Sequence, residues 1–155
     1  MINSEFFCNS NNWPGRLNKI KQIHNKVIKK IKIYFNKKES YYFNFIYTNN
    51  YEVKKLSNKY KNKKKSTDVL TFVSQMNNKK FSKMKFCDIF FSFDTLKKDA
   101  IKNKSDFYDH YTHILIHSLL HIIGFSHANL SNFKKMKKME IKILNSLGIQ
   151  NPYLK

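Results

Sequence analysis

The segment HSLLHIIGFSH, residues 117–127, carries three histidines at a spacing that suits a metal site. On an α-helix, His117 and His121 lie one turn apart on one face and can present two imidazoles to one ion. Gly124 can adopt a left-handed conformation that ends the helix and turns the chain, so that His127 returns as a third ligand. Three ligands leave one tetrahedral position open, as in a catalytic zinc site. The segment therefore predicts one bound Zn²⁺ ion.

Histidines at this spacing can also occur without binding a metal. A histidine on an apolar helix is more often a packed core or rim residue, and a pair at positions i and i+4 is common by chance. The third histidine, placed after a glycine, makes the pattern much more specific for a metal. His113 lies one turn before His117 on the same face, and it either supports a ligand or is a partly exposed polar residue.

The residue after the first histidine restricts the reaction that such a site would catalyse. A zinc protease of similar spacing has a glutamate base at this position, and the residue here is Ser118. A serine hydroxyl cannot act as that base at neutral pH, so peptide hydrolysis is disfavoured. A phosphodiester substrate needs charge stabilisation as much as a strong base. The residue types therefore favour RNA or DNA over a peptide.

The composition permits nucleic-acid binding without establishing it. The formal charge is +20 at pH 7, which favours polyanionic partners through phosphate contacts. Nearly all the basic residues are lysine, however, and a genome biased to A/T-rich codons would also produce many Lys, Asn, Ile, Phe and Tyr residues. Two distant cysteines, Cys8 and Cys87, favour a reducing cytoplasm, and we expect neither a signal peptide nor a membrane span.

The apolar patterning predicts a single α+β domain over residues 1–155, in which residues 1–14 are a less ordered segment. We expect a small mixed sheet with helices packed over it, and a metal cleft at a helix C-terminus. A basic loop, KNKKK, is predicted at residues 61–65, and a solvated turn is the alternative. Helical periodicity and β-rich runs predict the following order of elements. A helix (16–35), a strand (41–48), a helix (50–60) and two strands (68–73 and 86–93) come first. Three helices follow, at 95–102, from about 105 into the histidine segment, and at 130–147.

Several segments resemble the YbeY family of bacterial single-strand endoribonucleases and ribosomal RNA maturation factors. HSLLHIIGFSH is similar to the family signature HGxLHLxGYDH. LSNKYKNKKKSTDVLTF (56–72) is similar to LNxxYRxxDxPTDVLSF, and FCDIFFS (86–92) to LGDIxIS. The tail LGIQNPY (147–153) looks like the C-terminal ending of the family. The resemblance runs in order from about residue 41 to residue 153.

The resemblance implies an α+β fold in which His117, His121 and His127 hold one zinc ion in a cleft. The family's arginine that is thought to face the RNA falls on Lys61, which keeps the charge but loses the bidentate fork. The catalytic residues are then expected to be His117, His121 and Lys61. The predicted RNA-binding residues are Lys61, Lys63, Lys64 and Lys65, and the residues expected to support the ligands are His113, Ser126 and Asp88.

This chain departs from the family pattern at four positions. Ser118 replaces a glycine, Ser126 replaces an aspartate directly before the third ligand, Cys87 replaces a glycine and Ser66 replaces a proline. Ser126 removes a carboxylate from the neighbourhood of the metal. We expect Cys87 to be a small core residue and not a fourth ligand. Thr67 and Asp68 match the TDV block and are expected near the cleft.

Three functional hypotheses follow. The first is a zinc-dependent, single-strand-specific endoribonuclease that processes ribosomal RNA at the 3′ end of the small-subunit RNA and takes part in ribosome quality control. Its partners would be an rRNA precursor and components of the small ribosomal subunit. The second is a non-catalytic ribosome-assembly factor that binds RNA and carries a structural zinc. The third is a metal-dependent hydrolase for another substrate, such as a peptide, which the missing glutamate argues against.

Overall fold

The structure is a computed structural model and describes residues 1–61, 69–78 and 81–154. These residues form a four-stranded sheet and five α-helices, with short 3₁₀ turns between them. The α+β class is confirmed. The predicted order of helices and strands is found from the first α-helix onwards, and an additional strand precedes it. The elements are β1 (Ile2–Cys8), α1 (Leu17–Ile31), β2 (Ser40–Thr48), α2 (Asn50–Lys61), β3 (Val69–Asn78), β4 (Phe81–Ser92), α3 (Phe93–Lys102), α4 (Phe107–Ile123) and α5 (Leu130–Ser146).

The chain forms two compact units. The sheet unit comprises Met1–Leu17 and Asn36–Lys98, and the helical unit comprises Asn18–Phe35 and Asp99–Lys155. The helical unit contains α4, α5 and nearly all of α1. That the two units make up one domain stays a prediction.

The sheet is mixed, as predicted, with the order β1-β2-β4-β3. β1 and β4 both pair with β2 in parallel, and β3 pairs with β4 antiparallel. Alternate residues of the two central strands are buried on one face, because successive side chains of a strand point to opposite sides. The buried residues of this face include Tyr41, Phe43, Phe45 and Tyr47 of β2 and Cys87, Ile89 and Phe91 of β4.

The N-terminal segment differs from the expectation of a less ordered stretch. Ile2–Cys8 forms β1, which pairs along its whole length with residues 41–47 of β2. The buried indole of Trp13 donates a hydrogen bond from Nε1 to the carbonyl of Thr48 at 2.8 Å. The local pattern INSEFFC is a weak strand signal, and the pairing with a partner far along the chain orders this segment.

Side chains cap the N-termini of α4 and α5. Asp106 caps α4 by accepting hydrogen bonds from the backbone amides of Tyr108 and Asp109 at 3.0 and 3.2 Å. Asn129 caps α5 in the same way through the amide of Asn132 at 2.9 Å. Within residues 1–61, 69–78 and 81–154, none of the helices is long and apolar enough to cross a membrane.

Helix α1 buries an ionisable group on its apolar face. Ile20, Ile23, Val27 and Ile31 are all at most 9% exposed, and His24 lies among them at 5% exposed. Burial lowers the pKa of His24 from 6.5 to about 4, because a charged imidazole is poorly solvated there. The folded protein therefore keeps His24 neutral at pH values where the unfolded chain protonates it.

Acidification from pH 7 to pH 5 is expected to lower the free energy of unfolding, and His24 accounts for part of this loss. Between the unfolded pKa of 6.5 and the folded value of about 4, the unfolded chain binds the extra proton, so stability falls as the pH falls. The contribution of this one group at pH 5 is about 2 kcal/mol. Urea unfolding at both pH values should show a smaller pH-dependent loss for His24→Leu than for the wild type. An identical loss in the two proteins would contradict this.

Candidate metal centre

Helix α4 places three histidines along one face. His113, His117 and His121 follow one another at intervals of four residues, so their side chains lie one above another. The opposite side of the helix is apolar and buried, which fixes the rotation of the helix; its core residues include Leu115, Ile116, Leu119 and Leu120. The histidine face is half-buried.

The structure brings together the three histidines that the sequence predicted as ligands. His117, His121 and His127 each offer one ligand atom, and these atoms all lie within 4.8 Å of one another. The Nε2 atoms of His117 and His121 are 3.1 Å apart. The ring of His127 is centred 4.8 Å from that of His121 and 5.8 Å from that of His117. These three side chains can hold a metal ion.

Gly124 returns the chain to the helix end, as predicted. Its φ of 124° is in a region that residues with a side chain rarely adopt. The amide of Phe125 donates to the carbonyl of Leu120 at 3.0 Å, which closes the turn. The carbonyl of Phe125 in turn accepts a hydrogen bond from Nδ1 of His121 at 3.1 Å. Because a carbonyl only accepts, Nδ1 carries the proton and Nε2 of His121 is left as the donor atom for a metal.

A buried carboxylate orients His117. Glu140 of α5 is 1% exposed, and its Oε1 lies 2.5 Å from Nδ1 of His117. Its Oε2 lies 2.9 Å from Nε2 of His113 and accepts a hydrogen bond from the hydroxyl of Tyr153. A carboxylate–histidine pair of this kind fixes the ring orientation and tautomer of a metal ligand. It leaves Nε2 of His117 available as the donor atom.

Glu140 remains ionised in the folded protein. Burial by itself raises the pKa of this carboxyl, but the hydrogen bonds from His113, His117 and Tyr153 outweigh it and lower the pKa to about 2. The pKa of His121 is lowered, first by burial and then by the neighbouring His117 and His127. A lowered pKa keeps the imidazole of His121 neutral near pH 7, which is the form that binds a metal.

The arrangement fits a zinc ion on its geometry. At a usual Zn–N distance, two ligand nitrogens of a tetrahedral site are about 3.3 Å apart. The 3.1 Å between the Nε2 atoms of His117 and His121 is close to this value. Neutral imidazoles are ordinary zinc ligands, and the described residues supply three of them, which leaves one coordination position open.

Glu140 and Tyr153 are not among the site residues predicted from the sequence. Glu140 lies among the buried positions of α5, which also include Met136, Ile143 and Leu144. An acidic residue at an otherwise apolar helix position was the available signal, because a buried carboxylate needs partners. Nothing in the local sequence around Tyr153 indicates its contact with Glu140.

The other predicted site residues lie in different settings. Ser118 is 2% exposed, and its Oγ donates to the carbonyl of Ile114 at 2.9 Å within the helix. Ser126 is half-buried in the turn directly before His127. Asp88 lies in the sheet unit, where its Oδ1 accepts from Nδ2 of Asn44 at 2.9 Å. A supporting role for Ser126 and Asp88 stays a prediction.

Cys87 is a core residue, as expected. Its side chain is fully buried, and burial raises the pKa of its thiol to about 12. Lys61 is the last residue of α2. The remaining predicted residues of the basic loop and the TDV block lie outside the described residues; these are Lys63, Lys64, Lys65, Ser66, Thr67 and Asp68.

Comparison with known proteins identifies the family. The sequence profile described as endoribonuclease YbeY matches residues 7–148. The chain belongs to the endoribonuclease YbeY family. It is 37% identical over 103 residues to the endoribonuclease YbeY of Buchnera aphidicola subsp. Baizongia pistaciae, and this alignment covers 66% of each chain. The match thus spans just under two thirds of the length of that YbeY relative.

The YbeY-family chain also resembles a solved structure. The solution structure of TM1509 from Thermotoga maritima superposes with a TM-score of 0.59 and covers 95% of this chain and 91% of that one. The two sequences are 18% identical, so this likeness concerns the fold alone.

Removing one of the clustered histidines is expected to abolish metal binding without unfolding the protein. His121→Ala removes a donor nitrogen from the three-ligand set, whereas the apolar side of α4 keeps its packing. Metal analysis after zinc loading should fall from about one ion per chain to near zero, with an unchanged far-UV circular dichroism spectrum. His24→Leu removes a histidine outside the cluster and should retain the metal. Full zinc retention by His121→Ala would exclude this site.

Proposed function

We propose that this protein is a zinc-dependent endoribonuclease that cleaves single-stranded RNA. We further propose that it acts in the cytoplasm on ribosomal RNA precursors, in maturation of the 3′ end of the small-subunit RNA and in ribosome quality control with small-subunit components. The observation that carries the proposal is the cluster of His117, His121 and His127, three imidazoles within 4.8 Å, in a chain of the endoribonuclease YbeY family.

The surroundings of the cluster favour a phosphodiester over a peptide. Ser118 occupies the position of the glutamate base of a zinc protease, and its hydroxyl is engaged with a carbonyl of its own helix. Glu140 contacts the Nδ1 side of His117, whereas the donor atom for a metal is Nε2. The carboxylate therefore orients a ligand. A bound zinc ion would supply Lewis-acid stabilisation of charge on the phosphoryl group and activation of water.

The exposed face of α2 offers a surface for the RNA backbone. Tyr51 is 71% exposed, and together with Lys54, Lys55 and Asn58 it lines an open depression of about 500 Å³. Lysines neutralise phosphates, and an exposed aromatic ring can stack on a base of single-stranded nucleic acid. α2 ends at Lys61, the residue we propose to contact the RNA together with Lys63, Lys64 and Lys65.

The alternative is a non-catalytic assembly factor with a structural zinc. Structural zinc sites are closed by four protein ligands. The described residues contribute three donors to this cluster, which favours an ion with an open position. The catalytic proposal is therefore preferred.

A cleavage assay tests the proposal directly. The full chain, loaded with zinc, should cleave a single-stranded RNA, and a chelator or the substitution His117→Ala should abolish cleavage. Double-stranded RNA of the same sequence should be cut far more slowly. Salt-sensitive RNA binding without turnover would support the assembly factor instead, and undiminished cleavage by His117→Ala would refute the metal-dependent mechanism.

A charge-matched pair of variants tests the proposed RNA surface. Lys54→Ala with Lys55→Ala should weaken binding of single-stranded RNA and reduce the slope of log affinity against log salt by about 1.4, which corresponds to two lost phosphate contacts. The control is Lys29→Ala with Lys30→Ala, which removes two exposed lysines from α1. This control should keep the wild-type slope. Equal effects of the two double substitutions would show that only the net charge matters.

A further inference from the structure

We propose that Tyr153, at the C-terminal end of the chain, is a positioning residue for the metal ligand His117, and that it acts through Glu140. It follows that metal binding and docking of the C-terminal tail, residues 148–154, stabilise each other. This inference rests on the metal site of the proposed function. Its test is the affinity for the metal and not the cleavage of RNA.

The backbone conformation at Gly148 and a backbone hydrogen bond to α5 turn the C-terminal tail back towards α4 and α5. Gly148 has a φ of 77°, which ends α5, and the amide of Ile149 donates to the carbonyl of Leu144 at 3.0 Å. A 3₁₀ turn follows at Pro152–Leu154. The side chain of Asn151 accepts from the amide of Tyr153 at 2.9 Å, which fixes the start of this turn.

Tyr153 contacts three side chains at the end of this turn. Its hydroxyl donates to Oε2 of Glu140 and lies 3.4 Å from Nε2 of His113. Its ring packs edge-on against the ring of His113, with 5.5 Å between the ring centres, and the Nζ of Lys137 lies 4.5 Å from the ring centre on one face. The neighbouring Leu154 is 82% exposed, so Tyr153 is the residue that attaches the end of the tail.

The carboxylate of Glu140 connects Tyr153 to the candidate ligand His117. Oε2 of Glu140 receives the tyrosine hydroxyl and contacts His113, and Oε1 contacts Nδ1 of His117. Loss of the hydroxyl leaves Oε2 with fewer donors inside the protein, so the carboxylate can rotate away from the position that orients His117. Partners of this kind behind a metal ligand commonly change metal affinity by about 10- to 100-fold when they are removed.

The coupling works in both directions. If the docked tail raises the affinity for the metal, the metal raises the stability of the docked tail by the same factor. A tyrosine that merely fastened the tail would stabilise the metal-free and metal-loaded proteins equally. The distinguishing quantity is therefore the difference between these two states.

Tyr153→Phe is the sharpest variant, because it keeps the ring contacts to Lys137 and His113. It removes only the hydroxyl, with its hydrogen bond to Glu140 and its 3.4 Å contact to Nε2 of His113. Zinc affinity, measured by competition with a chromophoric chelator, should fall by about tenfold. The matched control is Tyr108→Phe, which removes a hydroxyl from a tyrosine of α4 whose ring also lies near a lysine, Lys19, at 6.0 Å. Tyr108→Phe should bind zinc like the wild type.

Hydrogen exchange tests the reverse direction. Addition of zinc should slow amide exchange in residues 149–154 of the wild type, and Glu140→Gln should remove most of this protection. Unchanged zinc affinity in Tyr153→Phe, or tail exchange that is the same with and without zinc, would overturn the inference. A wild type that binds no zinc would contradict both the inference and the proposed function. A wild type that binds zinc, together with either of these two negative results, would contradict the inference alone.

Discussion

The candidate metal centre depends on one buried contact, between the carboxylate of Glu140 and the Nδ1 atom of His117. A carboxylate that is 1% exposed costs several kcal/mol in lost hydration unless it is paired and hydrogen-bonded. Hydrogen bonds from His113, His117 and Tyr153 replace those that water would have donated to the carboxylate. The same contacts require α4, α5 and the C-terminal tail to be in register. One ionised group thus links the stability of the helical unit to the orientation of His117, a candidate metal ligand.

Different contacts orient the two helical histidines of the cluster, His117 and His121, in the same way. His117 is held by a side chain of another helix, and His121 is held by the backbone carbonyl of Phe125 in the turn that follows its own helix. In both cases Nδ1 is engaged and Nε2 faces the cluster. Both contacts occupy the side of the ring away from the donor atom, so neither Glu140 nor Phe125 competes with a metal or a substrate for the open position.

The strong positive charge does not by itself locate a binding surface; the arrangement of particular lysines does. Many lysines, including those of α1, lie on the polar faces of helices, as any surface lysine does. On α2, lysines lie beside an exposed tyrosine around an open depression, which is an arrangement suited to single-stranded nucleic acid. In the function proposed above, the polyanion is RNA.

The sequence by itself determined the features that depend on local spacing. The interval of four residues places His117 and His121 on one helix face, and Gly124 permits the turn that brings back His127. Short β-rich and apolar runs predicted the strands at 41–48 and 86–93, and the order of helices and strands predicted the α+β class. Strand order was not predicted, because pairing joins residues far apart in the sequence; β1, for example, is ordered only by residues 41–47. In the same way, only the packing of α4 against α5 places Glu140 beside His117, 23 residues away. Only the folded tail places Tyr153 beside Glu140. The ligands follow from helical periodicity, but the groups that orient them follow from the tertiary structure, because a buried carboxylate finds its partners only after the helices pack.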